Sequence, residues 1–462
     1  MIHARVCLQC PIYNEPDVIE ELLDRVSGIK WPDAYLEIQI LDDSDDETTE
    51  RIERWIGRHP SQARNIIHVR RRERRKGYKA GSLAHGLTLT DAEFIGIFDA
   101  DFRPEVDFLH QLMPRFADER VAAVQSRWGF NNRMSSWLSI VQAVLLEPHF
   151  FVEQTARSDN ELFITFNGTA GIFRRRSIED AGGWSHDTVT EDFDLSCRIQ
   201  LRREKILYVP EYSVQSELPP SLTAFKAQQF RWTKGTVQTF RKHMLGIFRS
   251  DQPLRVKLES LHQLGIGFFH PVLFLATILN APTFLIQTTT PNVPLGVAQL
   301  TMSFLTCGSA LTYFFMGQYL HHKSFVKAFG MLMISPLLLS VSMAMCLTTG
   351  LASARGAFEN GGEFVRTPKG KLAHNASLLW KKSAQLDFLL PLAGEIIIGT
   401  GLATFSIFLY STGRPISGTL FGMQSFGLVL FASTTIQERY LSRKSRSSSF
   451  STNAKSKELA KA

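Results

Sequence analysis

The chain has 462 residues, of which 44% are hydrophobic, and a formal net charge of +7. This length exceeds what a single hydrophobic core usually serves, so we expect at least two structural units. No zinc-ligand spacing, RNA-binding aromatic signature or basic heptad repeat accompanies the positive charge, which excludes nucleic acid as the expected partner.

Charged residues are distributed unevenly along the chain. Up to about Ser260 the sequence is charged and mixed, whereas beyond Leu264 it contains long runs with almost no ionisable side chain. This shift predicts a soluble part followed by a part embedded in a lipid bilayer. The five cysteines are scattered and odd in number, so we expect a soluble part in the reducing cytosol without a disulfide framework. Because a predicted strand follows Met1 within a few residues, we expect no cleavable signal peptide at the start of this sequence.

Short apolar or β-branched segments alternate with helical patterns in the first half of the chain. The predicted strands are 6–10, 36–41, 66–69, 94–98 and 121–125. Such alternation predicts an α/β fold with a mostly parallel sheet. Open sheets of this kind bind ligands beyond the carboxyl ends of their strands, so the residues that follow each strand are the candidates for a site.

Acidic residues follow three of these strands. The sequence reads PIYNE at 11–15, LDDSDD at 41–46 and FDAD at 98–101. Because residues i and i+2 at a strand end point to the same side, Asp99 and Asp101 can present two carboxylates to one divalent cation, which would bridge to a pyrophosphate. The alternative is a solvated acidic turn, and three carboxylate-bearing strand ends on one sheet edge argue against it.

A glycine-rich segment and a basic run lie between the third and fourth strands. In 77–81, glycines permit close backbone approach and Lys79 offers a cation that matches a phosphate. We expect the preceding run, 70–76, to be mainly a solvated set of charges.

Two later segments carry candidate catalytic chemistry. Carboxylates between Thr190 and Asp194 either stabilise the N-terminus of a predicted helix or take the proton from an acceptor hydroxyl that attacks an anomeric carbon. Direct displacement of that kind inverts the linkage. Further on, Gln228, Arg231 and Trp232 share one helix face, where an indole can stack on a sugar ring. The alternative is an interfacial helix with a buried tryptophan, and both descriptions can hold together.

Five apolar runs in the second half are long enough to be considered membrane spans: 264–287, 295–320, 328–354, 388–410 and 416–436. Basic residues after the third run and in the tail favour the cytosolic side at both places. We therefore predict four crossings, with 328–354 packed along the cytosolic face or dipping in and returning. Glu395 is expected to face the bundle interior, along a hydrated path for a polymer.

Taken in order, these motifs resemble processive family 2 glycosyltransferases, the group that contains cellulose, chitin and hyaluronan synthases. They are most like the plant cellulose synthase-like A and C proteins, makers of mannan and glucan backbones, and their bacterial relatives. The resemblance covers nearly all of the chain to about Ile436. Its motifs are PxxNE at 11–15, LDDS at 41–44, GYKAG at 77–81, FDADF at 98–102, FNGTAG at 166–171, TED at 190–192 and QxxRW at 228–232.

The resemblance implies a GT-A (nucleotide-diphospho-sugar transferase) domain followed by an α-helical transmembrane bundle. It also implies a membrane-bound processive inverting β-glycosyltransferase, which polymerises hexose from GDP-mannose or UDP-glucose and translocates the growing polysaccharide. The nearest alternative is a non-processive enzyme that glycosylates a membrane lipid. A transporter or a catalytically dead scaffold is a more distant alternative, and the retained carboxylates argue against it.

The resemblance further assigns roles to individual residues. Donor binding falls to Tyr13, Glu15, Asp43, Lys79, Asp99 and Asp101. Asp101 with Asp99 would hold Mg²⁺ or Mn²⁺, and Asp192 with Glu191 beside it would supply the general base. Acceptor binding falls to Gln228, Arg231, Trp232, Asn167 and Gly168. A gating loop near 361–370 would include Phe364, Thr367 and Lys369.

The implied organisation has four parts. A cytosolic GT-A domain at 1–218 precedes amphipathic interfacial helices at 219–263, a transmembrane region at 264–436 and a basic cytosolic tail at 437–462. Family members usually begin with a transmembrane helix, whereas this chain opens on its first strand, as a truncated or a shorter form would. A multi-pass protein of this type is expected in the plasma membrane of a bacterium or in the Golgi of a eukaryote.

Overall fold

The computed structural model describes residues 4–71, 73, 75–289, 293–362 and 385–459. Within these residues, one sheet of seven strands has the order β3-β2-β1-β4-β6-β5-β7. The strands are β1 Val6–Ile12, β2 Leu36–Asp42, β3 Ile66–Val69, β4 Phe94–Ile97, β5 Val121–Phe130, β6 Gly171–Arg174 and β7 Lys205–Ser216.

All neighbouring strands pair in parallel except β6, which is antiparallel to β4 and to β5. The predicted mostly parallel sheet is therefore confirmed, although β6 and β7 were not predicted. Successive side chains of a strand point to opposite faces, so Leu8 joins one apolar cluster and Cys7 joins the other. Helices cover both faces, as parallel sheets require.

The helices of the first part are α1 Ile19–Ser27, α2 Thr48–Arg58, α3 Tyr78–Leu87, α4 Phe108–Leu112, α5 Trp137–Pro148, α6 Thr155–Asp159, α7 Arg175–Asp180 and α8 Glu191–Leu201. A π-helical segment, His149–Gln154, connects α5 to α6. The second part contains α9 Leu222–Arg249, α10 Leu254–Gly265, α11 Phe269–Thr289, α12 Val293–His322, α13 Phe325–Met331, α14 Ser335–Phe358, α15 Gln385–Ser411 and α16 Pro415–Leu459.

Helix α9 is joined to the last two helices by polar contacts. Glu438 of α16 accepts hydrogen bonds from the backbone N–H groups of Leu222 and Thr223, at 2.7 and 3.0 Å, and so caps the start of α9. Lys226 Nζ lies 2.6 Å from Glu395 Oε1 of α15. Glu395 is 0% exposed, which confirms that it faces the interior. Its carboxylate is paired with Lys226, and the hydrated path for a polymer stays a prediction.

Four described helical segments have the length and apolar composition of a membrane span: Leu254–Phe284, Phe325–Phe358, Leu389–Ser411 and Pro415–Leu441. Their number equals the number of predicted crossings, and helices of this kind suggest a membrane protein. The set differs from the predicted one, because it includes the run predicted not to cross and leaves out α12.

The segment that contains α13 and α14 starts and ends beside the catalytic part. Just before it, His321 Nδ1 lies 3.4 Å from Glu147 Oε1 of α5. Just after it, Glu359 accepts a hydrogen bond from Lys234 of α9. Between these ends, residues 333–340 lie near the connection of α15 to α16. This path supports the form of the prediction in which the run dips in and returns, and the number of crossings stays a prediction.

Candidate active site

A cavity of about 1660 Å³ begins at the carboxyl ends of the parallel strands and continues into the helix bundle. Its walls include all the predicted donor, catalytic and acceptor residues: Tyr13, Glu15, Asp43, Lys79, Asp99, Asp101, Asn167, Gly168, Glu191, Asp192, Gln228, Arg231 and Trp232. The predicted gating residues Phe364, Thr367 and Lys369 lie outside the described residues. Residues separated by as many as 219 positions, from Tyr13 to Trp232, thus meet in one place.

Two arginines shape the end of the cavity formed by β1 and β2. Arg71 donates from Nε and Nη2 to the two carboxylate oxygens of Asp43, at 2.8 and 2.5 Å. The Arg75 guanidinium lies 3.7 Å from the centre of the Tyr13 ring. Asp43 is 5% exposed, so Arg71 takes the place of water as the partner of both carboxylate oxygens. The expectation that 70–76 is mainly a solvated charge run is wrong for these two arginines.

Lys79 connects three segments of the site. Its Nζ lies 2.5 Å from Asp99 Oδ1, 2.9 Å from the carbonyl oxygen of Gly168 and 3.9 Å from Glu191 Oε1. Burial lowers the pKa of Lys79, but the carboxylates of Asp99, Glu191 and Asp192 more than offset this and raise it above its usual value. A permanently charged ammonium therefore lies between the β4 end and the start of α8.

Asp99 and Asp101 line the same cavity, but each has a partner. Asp99 pairs with Lys79, and Asp101 accepts a hydrogen bond from the Ser216 hydroxyl at the end of β7. Within the described residues, no group of three or more His, Cys, Asp or Glu side chains is arranged to hold a metal ion. Two carboxylates fit Mg²⁺ or Mn²⁺ if water and a diphosphate supply the other ligands, as magnesium sites commonly do. The residues present thus suit an ion that binds together with the donor.

Asp192 lies in the first turn of α8, where its side chain is partly buried. Burial and the neighbouring Glu191 raise its pKa to about 7, against the lowering effect of Lys79. Gly168 has a positive φ of 82°, and a Cβ at this position would lie 3.0 Å from Asp192 Oδ2. Only glycine at position 168 therefore lets the backbone come so close to the carboxylate. A carboxyl group that titrates near neutrality is suited to accept and release a proton.

Asp194, in the same turn of α8, has a different environment. It pairs with Arg198 at 2.8 Å, Lys242 at 2.6 Å and His243 at 2.7 Å. Burial raises its pKa, but His243 and the two cations hold it well below the usual range. This aspartate therefore fixes α8 against α9 and is unsuited to proton transfer.

The end of the cavity where the sequence predicts acceptor binding contains a pair of indoles. The rings of Trp232 on α9 and Trp128 on β5 have centroids 6.4 Å apart. Asn167 accepts a hydrogen bond from Gln154 through Oδ1, and its buried Nδ2 has no hydrogen-bond partner among the described residues. Sequence reasoning missed Trp128, because β5 continues five residues beyond the predicted strand end at Gln125.

A polar cluster at the π-helical segment was also missed. Glu153 lies 3.0 Å from His149 Nδ1 and 3.1 Å from Arg157 Nη1, and it accepts a hydrogen bond from the Tyr313 hydroxyl at 2.5 Å. Burial raises the pKa of Glu153, but His149 and Arg157 hold it far below its usual value. The side chains line the cavity where α12 meets the catalytic part. A π-helix has no distinct sequence period, so no signal could have placed this cluster.

Inside the helix bundle the cavity wall is partly polar. Its hydroxyl and amide side chains include Thr277, Asn280, Ser309, Ser342 and Gln424. Gln424 Oε1 is buried without a hydrogen-bond partner among the described residues. Polar side chains that face a cavity inside an apolar bundle are typical of a path for polar molecules.

Residues 94–350 match the family model described as glycosyl transferase family group 2. Glucomannan 4-beta-mannosyltransferase 2 of Arabidopsis thaliana is 42% identical over 256 residues, which cover 54% of this chain and 47% of that protein. Glucomannan 4-beta-mannosyltransferase 1 of Oryza sativa subsp. japonica is 38% identical over 256 residues, covering 54% and 48%. The chain spans about half the length of these curated relatives.

Solved structures give a weaker likeness. A mannosyltransferase from Pyrobaculum calidifontis, in complex with GDP-Man and Mn²⁺, matches with a TM-score of 0.49 and 24% identity. The match covers 71% of this chain and 86% of that chain.

Proposed function

We propose, because the chain belongs to glycosyl transferase family group 2, that it is a membrane-bound inverting hexosyltransferase that extends a β-linked polysaccharide from a nucleotide-sugar donor. The observation that carries the proposal is the convergence of Lys79, Asp192 and the Trp232 face of α9 on one cavity. These groups supply, respectively, a phosphate-matched cation, a base and a platform for a sugar ring.

The reaction follows from this arrangement. An acceptor hydroxyl oxygen attacks the anomeric carbon of the donor sugar, and its proton passes to the Asp192 carboxylate. The bond from the anomeric carbon to the diphosphate oxygen breaks, and the nucleoside diphosphate leaves with the electron pair. Lys79 and Arg231 face the departing charge, and a divalent ion held by Asp99 and Asp101 would neutralise part of it. A single displacement inverts the configuration, so an α-linked donor gives a β-linked product.

We propose GDP-mannose as the donor and a mannan or glucomannan as the product. The plant relatives, which are glucomannan 4-beta-mannosyltransferases, support mannose transfer. UDP-glucose remains the second donor to be tested. We propose that the nucleobase and ribose of the donor are bound by Tyr13, Glu15 and Asp43. Arg71 keeps Asp43 in place, and Arg75 keeps Tyr13 in place.

Extension of a polymer is favoured over transfer to a membrane lipid by the shape of the cavity. The cavity passes from the indoles of Trp128 and Trp232 into the bundle, along polar side chains of α11, α12, α14 and α16. A chain of sugars has hydroxyl groups along its whole length that these polar side chains can bind, and its ring faces can pack on the apolar residues between them. We propose that the product leaves the cytosolic catalytic domain by this path, with domain boundaries near 218, 263 and 436.

The test is a transfer assay with the full chain in membranes. Radiolabelled GDP-mannose and UDP-glucose are supplied separately, with and without Mn²⁺ or Mg²⁺, and the product is digested with β-mannanase or β-glucanase. We expect polymeric label from GDP-mannose that β-mannanase releases and that Asp192→Asn abolishes. Label that extracts into organic solvent would support the lipid alternative. Absence of incorporation from either donor would overturn the proposal.

A further inference from the structure

The face of α9 that carries Gln228, Arg231 and Trp232 continues for two more turns. Gly235, Gln238 and Thr239 follow on the same stripe, because helical residues three, four and seven positions apart share a face. This extension does not meet the sugar path. It packs on residues 187–190, the segment directly before the catalytic carboxylates of α8.

The first contact is a close approach between Gly235 and Thr190. A Cβ on Gly235 would lie 2.3 Å from Thr190 Cγ2 and 2.5 Å from Thr190 Oγ1, far inside the contact distance of real atoms. The hydroxyls of Thr190 and Thr239 are 3.4 Å apart. Glycine in the middle of a helix is unfavourable by about 1 kcal/mol relative to alanine, so α9 has this residue against its own helical preference.

The second contact is a bridge made by Gln238, which is 2% exposed. Its Oε1 accepts a hydrogen bond from the backbone N–H of Val189 at 2.9 Å. Its Nε2 donates to the carbonyl oxygens of Glu359 and Gly361, at 3.1 and 2.8 Å. The N–H of Gly361 in turn donates to the carbonyl oxygen of Asp187 at 2.7 Å. One amide therefore ties α9, the catalytic segment and the end of α14 together.

We infer that Gly235 and Gln238 are positioning residues that set the distance between the catalytic carboxylate of Asp192 and the acceptor face of α9. The inference rests on the proposed function, since it concerns the geometry of that reaction. Gly235 lets α9 and Thr190 pack in direct contact, and Gln238 fixes the next turn of the same segment. A displaced Thr190 would move Asp192 relative to the acceptor hydroxyl while leaving the donor residues on the sheet edge in place.

The first test compares two substitutions in the same helix, Gly235→Ala and Gly246→Ala. A Cβ on Gly246 would have no atom within 4 Å, so this control shows only the effect of the higher helix propensity of alanine. We expect Gly235→Ala to lower kcat by about 10²-fold, the cost of misplacing a reacting group by about 1 Å. The KM for the donor should stay within about threefold of wild type, because donor binding does not use this contact.

Equal kcat for the two alanine variants would overturn the role of Gly235. A donor KM that rises in step with the fall in kcat would also overturn it, since that pattern indicates general disruption. Inactivity of the wild-type chain itself would instead contradict the proposed function.

The second test keeps the inference falsifiable if Gly235→Ala fails to fold. Gln238→Met removes the bridge at nearly constant volume. Its control is Gln39→Met in β2, because Gln39 is 0% exposed and makes two comparable hydrogen bonds, to Gln9 and Glu37. We expect similar thermal destabilisation in both variants, with kcat reduced at least tenfold only in Gln238→Met. An equal effect on kcat in both would show that Gln238 has a structural role alone.

Discussion

The pKa of Asp192 depends on two opposing charges, because Glu191 raises it and Lys79 lowers it. We expect Asp192→Asn to reduce sugar transfer by about 10² to 10⁴-fold, the usual loss on removing a general base, with donor affinity nearly unchanged. Transfer measured beside binding of the nucleoside diphosphate separates the two effects. Asp194→Asn is the comparison variant, because the Asp194 carboxylate is paired with three side chains and is unsuited to proton transfer. Near-normal turnover of Asp192→Asn would rule out the assignment.

The raised pKa of Asp192 also predicts the acidic limb of the pH profile. A base must be deprotonated to act, so kcat/KM should fall as pH decreases through about 7. The Glu191 carboxylate raises the pKa of Asp192, so Glu191→Gln should move this limb to lower pH. A full pH profile of both proteins checks the direction. A limb that stays in place or moves to higher pH would contradict the electrostatic account.

At the scale of elements, the strand pattern was predictable because buried parallel strands are short, apolar and followed by polar residues. Strands β1 to β4 start where the sequence indicated, and the motifs that follow β1, β2 and β4 meet at one sheet edge. Strand β6 has four residues and depends on pairing with β4 and β5, which no local pattern reports. The partner of an individual charged side chain could not be predicted from the sequence either, because Arg71 and Asp43 come together only in the folded chain.

Helix α9 has one face on the cavity, where we propose that the acceptor binds, and another that is anchored in the bundle. Trp232→Ala should shorten the product or stop elongation, because the stacking surface for the acceptor sugar is lost. Trp232→Phe should retain most of the chain length, since a smaller ring still stacks. Product size by gel filtration distinguishes the variants. An unchanged length distribution in Trp232→Ala would count against the platform.

The ion pair that anchors α9 to α15 should matter for stability. Lys226→Met leaves the Glu395 carboxylate buried without its partner. Such a change typically lowers the free energy of unfolding by about 3–5 kcal/mol. The double variant Lys226→Met with Glu395→Leu should recover much of that loss. Arg120→Ala, at an exposed pair with Asp118, serves as the control and should change stability by less than about 1 kcal/mol. Thermal unfolding in detergent gives the melting temperatures of the wild type and the three variants. Equal melting temperatures for Lys226→Met and the double variant would contradict the pairing argument.

At the scale of the whole molecule, the membrane topology makes a prediction about accessibility. Single cysteines at Asn360 and Thr412 in a Cys307→Ser background can be probed with an impermeant thiol reagent. Asn360 lies beside Asp187 of the catalytic domain and should react only from the cytosolic side. Thr412, between α15 and α16, should react only from the opposite side. Labelling of position 360 from the outside, or of position 412 from the cytosolic side, would overturn the four-crossing arrangement.

The cap on α9 has a consequence for how the protein is made. Glu438 is 216 residues later in the chain than Leu222, whose N–H group it accepts. At a synthesis rate of about 5–20 residues per second, α9 waits on the order of ten to forty seconds for this cap. The Ser221 cap on the N–H of Ala224 is available as soon as α9 is made, whereas the two contacts with Glu438 form only after α16 has been synthesised. If the product leaves through the bundle as proposed, α16 would complete both the start of α9 and part of the wall of that route at the same stage of synthesis.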